Sequence, residues 1–124
     1  MPKTIEAPTV KNVETPDEVR EFENGRLELV NVGGRMIGRA VFSPGWKWSA
    51  HVKPIAKTRS CEAPHFQYQI SGRMKIVMDD GTEFITKAGD VMNIPPGHDA
   101  WVLGDEPAVV VDFQGFVDYA KAKK

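Results

Sequence analysis

The sequence has little cysteine, little excess charge and no long apolar run, and each shortage removes a class of protein. Its 124 residues hold one cysteine, Cys61, so no disulfide can form within the chain. A lone thiol suits a reducing compartment, and the cytoplasm is the expected location. Sixteen Lys and Arg stand against 17 Asp and Glu, for a net charge of −1. With no basic field to hold a phosphate backbone, nucleic acid is not an expected partner. No stretch approaches the roughly 20 apolar residues of a membrane span, so no membrane partner is expected either. Met1 to Lys11 lack the apolar centre of a secretory signal. No phosphate-binding glycine loop, dinucleotide fingerprint or Ser/His/Asp arrangement can be read in the chain, which removes kinases, NAD enzymes and triad hydrolases. Strong helical periodicity and internal repeats are absent too.

What remains is a chain of ordinary globular composition, long enough for one domain with its own core. Residues 1 to 16 hold three prolines and little periodicity, and read as an extended N-terminal arm. From residue 17 to 115, short apolar stretches alternate with turn signals. Asn24-Gly25, Gly33-Gly34, Pro44-Gly45, Ser71-Gly72 and Asp80-Gly81 punctuate the expected strands Arg26–Val32, Met36–Phe42, Trp46–Val52, His65–Ile70 and Arg73–Met78. Thr82–Thr86, Val91–Ile94, Asp99–Leu103 and Ala108–Phe113 complete the series, and residues 53 to 63 read as a loop. Many short strands at even spacing predict an all-β sandwich or barrel. Residues 116 to 124 read as a short helix or a frayed tail.

One segment carries a family signal. From His65 to Val102 it runs HFQYQISGRMKIVMDDGTEFITKAGDVMNIPPGHDAWV. Gly89, five residues, then Pro95-Pro96-Gly97 matches the start of the second motif of the cupin superfamily. Six residues between His65 and Gly72 match the end of its first motif. The chain therefore resembles the cupins, and more narrowly the small single-domain bacterial cupins. The resemblance spans roughly residues 35 to 113. It implies a double-stranded β-helix, or jelly-roll barrel, with one pocket. It also implies a divalent transition metal inside the barrel (Fe, Zn, Ni, Mn or Cu), a small-molecule ligand or substrate, and a homodimer.

The chain has three histidines, and all fall at or near the slots where cupins keep metal ligands. His51 lies five residues after Gly45, His65 takes the slot of the first motif's glutamate, and His98 follows Gly97. The pattern departs from the family in places. Lys53 replaces the second member of the H-x-H pair, and Ala100 stands in the usual histidine slot of the second motif. Two alignments of the first motif are open. One keeps His51 as a ligand and assumes an insertion. The other keeps strict spacing and puts Arg59 and Cys61 in the H-x-H slots.

Period two along the strand puts Gln67 and Gln69 on the same face as His65, and Tyr68 on the other. Buried amides need partners, so Gln67 is a candidate for binding a polar ligand, while Gln69 is placed near a wet rim. Trp46, Trp48 and Trp101 cluster around the same region, and Trp48 and Trp101 are candidates for an aromatic substrate wall. Asp99 either orients a ligating imidazole or forms a turn with Gly97. As a nucleophile Cys61 would need a base, and none is identifiable from sequence. Two functions follow. One is a metal-dependent cupin acting on a small organic molecule by dioxygenase, isomerase or lyase chemistry. The alternative is a non-catalytic binding or sensing cupin without a functional metal.

Overall fold

The computed structural model describes residues 7–114. The expected C-terminal helix or tail, 116–124, lies outside the described residues, as does the start of the arm, residues 1–6. Nine strands and two short helices follow in order: β1 (Glu18–Phe22), β2 (Gly25–Val32), β3 (Arg35–Phe42), α1 (Trp48–His51), α2 (Lys53–Ala56), β4 (His65–Ser71), β5 (Arg73–Met78), β6 (Glu83–Lys87), β7 (Val91–Ile94), β8 (His98–Leu103) and β9 (Ala108–Asp112). All pairings are antiparallel and build a six-stranded sheet, β1-β2-β3-β9-β4-β7, and a three-stranded sheet, β6-β5-β8. Among the described residues no helix is long and apolar enough to cross a membrane.

Alternation builds the layers. In β4 every second residue from His65 is buried, and β8 and β9 repeat the pattern from His98 and Ala108. Ala100 and Val102 of β8 and Ala108 and Val110 of β9 join Leu27, Leu29, Ala40 and Phe42 of the large sheet and Met74 and Ile76 of the small one in a single apolar core. A sheet buried on one face reads as inside-outside alternation, which is why the sequence showed these strands so clearly. The fold is the expected all-β jelly-roll barrel.

One sequence expectation is corrected. Trp46 to Val52 is not a strand, because residues 48–51 and 53–56 are helical. Trp46 and Trp48 are both buried, which mimics strand alternation, but the burial then falls on Trp48 and Val52, four residues apart on one helix face. Pro54 stands in the first turn of α2, where its missing N–H costs nothing, and Lys57 ends the helix in a left-handed conformation, φ 60°. The two helices thus replace both the expected strand and the start of the expected loop.

The arm is anchored where it meets the large sheet. Lys11 Nζ pairs with Asp17 at 3.0 Å, and Arg39 reaches Glu14 at 2.8 Å and Glu28 at 2.7 Å. Asp17 also accepts the Asn31 amide at 2.7 Å.

Candidate metal centre

β4 points His65 into the barrel, and β8 begins with His98, also buried. Cys61, in the segment before β4, is stitched to the start of β8. Its amide donates to the His98 carbonyl at 2.8 Å, and its carbonyl accepts the Gly97 amide at 2.7 Å. This backbone bridge carries the thiol to the two imidazoles. Cys61, His65 and His98 each offer one donor atom, and these atoms lie within 4.8 Å of one another. Cys61 Sγ is 3.8 Å from His65 Nε2, and the two imidazole centroids are 5.3 Å apart.

Both imidazoles are aimed. His65 Nδ1 bonds to the carboxylate of Asp112, the last residue of β9. A carboxylate only accepts, so Nδ1 carries a proton, and Nε2 is the ring atom that faces Cys61. Asp112 is itself held, since its Oδ1 accepts amides from Gln114 at 2.8 Å and Phe66 at 3.3 Å. His98 Nδ1 donates to the Pro95 carbonyl at 2.9 Å, so in the neutral ring Nε2 carries the lone pair. Burial, and next the charge of His65, push the His98 pKa down to about 4, so its ring is neutral at neutral pH. Burial pushes the Cys61 thiol up to about 12.

The cavity among these groups is small, about 20 Å³, enough for roughly one water. Trp46, Trp48, Gln67 and Phe42 line it together with the three donors. Gln67 Nε2 lies 3.8 Å from Met92 Sδ, and the buried Trp46 indole N–H has no hydrogen-bond partner among the described residues.

A thiol and two oriented imidazoles with an open fourth position match what a three-ligand metal site requires. Cys61, His65 and Asp112 also follow one another in the order nucleophile, base, orienting acid. Burial opposes the nucleophile role, because it holds the proton on sulfur. A cation that binds the sulfur would displace its proton to solvent, so the same burial is compatible with ligation. The donor set fits a metal better than it fits an unassisted thiolate.

The sequence candidates fall into two groups. His65 and His98 are brought together, and Gln67 and Trp48 line the cavity beside them. His51 is not in the group. It sits at the end of α1, where its Nδ1 accepts the Lys47 amide at 3.0 Å and its Nε2 lies 3.5 Å from Asn24 Nδ2. The helical turn, rather than a strand, carries it away from the barrel axis, and Cys61 stands in its place. Trp101 lies on the outward face of β8, with Lys47 Nζ 4.9 Å above its ring, and does not line the cavity. Gln69 is fully buried instead of wet and ties the β4–β5 turn by donating to Gly72 O at 2.9 Å. Asp99 does neither of its expected tasks. Its Oδ1 accepts from Ser49 N and Ala100 N, which fastens α1 to β8. Asp112 was missed, although the alternation Ala108, Val110, Asp112 puts an acid on an otherwise apolar inward face.

No protein-family model and no curated protein matches the chain. Solved structures match it in fold. A cupin-like protein from Thermotoga maritima MSB8 superposes with a TM-score of 0.52 at 20% identity, over 77% of this chain and 72% of that one. The chain folds as a cupin. A protein of unknown function from Acidithiobacillus ferrooxidans NCIB8455 matches the chain with a TM-score of 0.56 at 17% identity, over 83% of this chain and 91% of that one. Oxalate decarboxylase from Bacillus subtilis matches with a TM-score of 0.54 at 26% identity, over 80% of this chain but 28% of its own. The chain thus spans under a third of that enzyme's length.

Proposed function

We propose that this cupin binds a transition metal through Cys61, His65 and His98 and uses it on a small molecule admitted to the barrel. The observation that carries the reading is the gathering of three buried donor atoms within 4.8 Å, two of them on imidazoles already oriented by Asp112 and Pro95. Thiolate and imidazole donors favour zinc or copper, and they argue against manganese among the metals expected for a cupin. Such an ion would supply Lewis-acid polarisation or redox chemistry at its open position. The chain's own part is to exclude bulk water with Trp46, Trp48 and Phe42, and to position an incoming polar group with Gln67. The test is elemental analysis of tag-free protein. Wild type should carry near-stoichiometric metal and His65→Ala should carry none. A wild type that stays empty after metal is supplied overturns the reading.

One observation favours a second reading, a binding module without catalysis. A cavity of about 20 Å³ admits a water-sized group but not an organic substrate. Metal uptake with no turnover across a panel of small organic acids and alcohols would select it.

A further inference from the structure

The outer face of the small sheet gathers positive charge in a chain whose net charge is −1. The register puts Lys87, Arg73 and Leu103 in one row across β6, β5 and β8, and Ile85, Lys75 and Trp101 in the next. Lys47 joins the second row through its bridge to Trp101. Lys47, Arg73, Lys75 and Lys87 thus share one face, on the opposite side of the sheet from the buried donors. We propose that this face is a docking surface for an acidic, extended segment of a partner protein. The inference does not depend on the metal reading.

Three features support it. First, the cations are poorly neutralised. Lys47 and Arg73 are exposed and form no ion pair among the described residues. Lys75 pairs with Glu83 at 2.8 Å, and Lys87 reaches Asp90 only at 3.5 Å. Arg73 stands directly opposite Lys87, and like charges facing each other across a ladder destabilise it. The acids nearby are engaged elsewhere. Glu106 Oε1, in the hollow of about 450 Å³ beside Arg73 and Lys87, accepts the Gly72 amide at 3.1 Å, and Asp99 Oδ1 holds Ser49 N and Ala100 N. A carboxylate brought by a partner would relieve the repulsion that the fold leaves in place. Second, Lys47 Nζ lies 4.9 Å and Lys75 Nζ 5.9 Å from the centroid of the Trp101 ring. The indole holds both ammonium groups in place, which lowers the ordering cost of pairing them with an acid. An ammonium group already sits over the ring that a stacked nucleobase would need, which disfavours a nucleic acid. Third, Arg73 and Lys75 are two residues apart on one strand face, about 7 Å, and acids on alternate residues of an extended segment repeat at the same spacing. Ile85 is 59% exposed, but Trp101 and Leu103 are only half-buried companions to it, so the face has little to insert into a bilayer.

The experiment titrates nitrogen-15-labelled full-length chain with a short synthetic peptide of alternating glutamate and threonine. The same peptide with lysine in place of glutamate is the control, and phosphatidylserine vesicles and oligothymidylate are titrated in parallel. The chain has three tryptophans, and hence three indole N–H resonances to follow. The expected result is saturable binding of the acidic peptide that shifts the Trp101 resonance, leaves buried Trp46 unmoved and weakens as salt is raised. Arg73→Glu with Lys47→Glu should bind the peptide at least about tenfold more weakly, the scale of two exposed ion pairs lost and reversed. Arg73→Glu alone should also weaken binding yet melt no lower than wild type, since it sets a glutamate opposite Lys87. A loss of binding is thereby separated from a loss of fold. No binding of the acidic peptide, equal affinity in the double variant, or tighter binding to the vesicles or to oligothymidylate overturns the inference. None of these outcomes touches the metal reading, which metal analysis tests separately.

Discussion

Asp112 turns His65 from a buried ring into a directed donor. It fixes the Nδ1 proton, and two backbone amides fix its own carboxylate. Asp112→Asn preserves size but offers an amide that can present either face to Nδ1. Metal affinity should fall 10- to 100-fold with the fold intact, the range typical of losing a ligand's orienting partner, and chelator competition would measure it. Cys61 makes a separate prediction. Cobalt-substituted wild type should absorb in the near ultraviolet by thiolate-to-metal charge transfer, and Cys61→Ser should lose that band. At this scale the sequence was partly legible. His65 and His98 could be read because turn glycines and the Pro95-Pro96-Gly97 stop fix their slots. Cys61 appeared only as the alternative in an ambiguous alignment, since sequence spacing cannot say that residues 61 and 98 are bridged. Asp112 carried a signal in its alternation with Ala108 and Val110, but an acid closing a strand is ordinarily a solvated end.

At the scale of elements, the strands were legible and the helical turn was not. Inside-outside alternation is a repeated signal over β4, β5, β8 and β9, whereas α1 and α2 are four residues each and offer a single helical pair, Trp48 and Val52. The turn between β4 and β5 gives a sharp prediction. Gly72 has φ 75°, and a Cβ there would run into the backbone of Pro107 and Ala108. Gly72→Ala should cost about 2 kcal/mol or more, read as a drop in the urea midpoint at unchanged slope. The arm gives a prediction in pH. The Asn31 amide, and then Lys11, hold the Asp17 carboxyl below its ordinary value of 3.8. A depressed folded value adds stability above the unfolded value and loses it as the pH falls through the folded one. Wild type should therefore melt above Asp17→Asn at neutral pH, and the gap between their melting temperatures should close well below the ordinary Asp value.

At the scale of the molecule, the outer face of the large sheet is unusual for a chain standing alone. Phe66, Tyr68 and Ile70 alternate outward along β4, and Val91 pairs opposite Tyr68. Phe113 meets Phe66 at 6.3 Å between ring centroids, and these five side chains are 43% to 66% exposed. At about 100 Å² apiece they offer roughly 500 Å² of apolar surface, the apolar share of one side of a standard interface. A homodimer through this face is the expected assembly. Light scattering should give twice the mass of one chain, and Phe66→Glu with Tyr68→Glu should halve it while leaving metal uptake unchanged. A monomeric wild type would remove that expectation.

The place of β9 in the large sheet bears on synthesis. β3 and β4 do not touch as a ladder, because β9 lies between them and pairs with both. A chain emerging from the ribosome can form the early hairpins, yet its two half-sheets keep open edges until residues 108–112 arrive. His65 likewise waits for Asp112 to set its tautomer. In this topology the large sheet is completed and His65 meets Asp112 through the same strand, β9, so a chain truncated before residue 108 would lack both the closed sheet and the oriented imidazole of the proposed metal site.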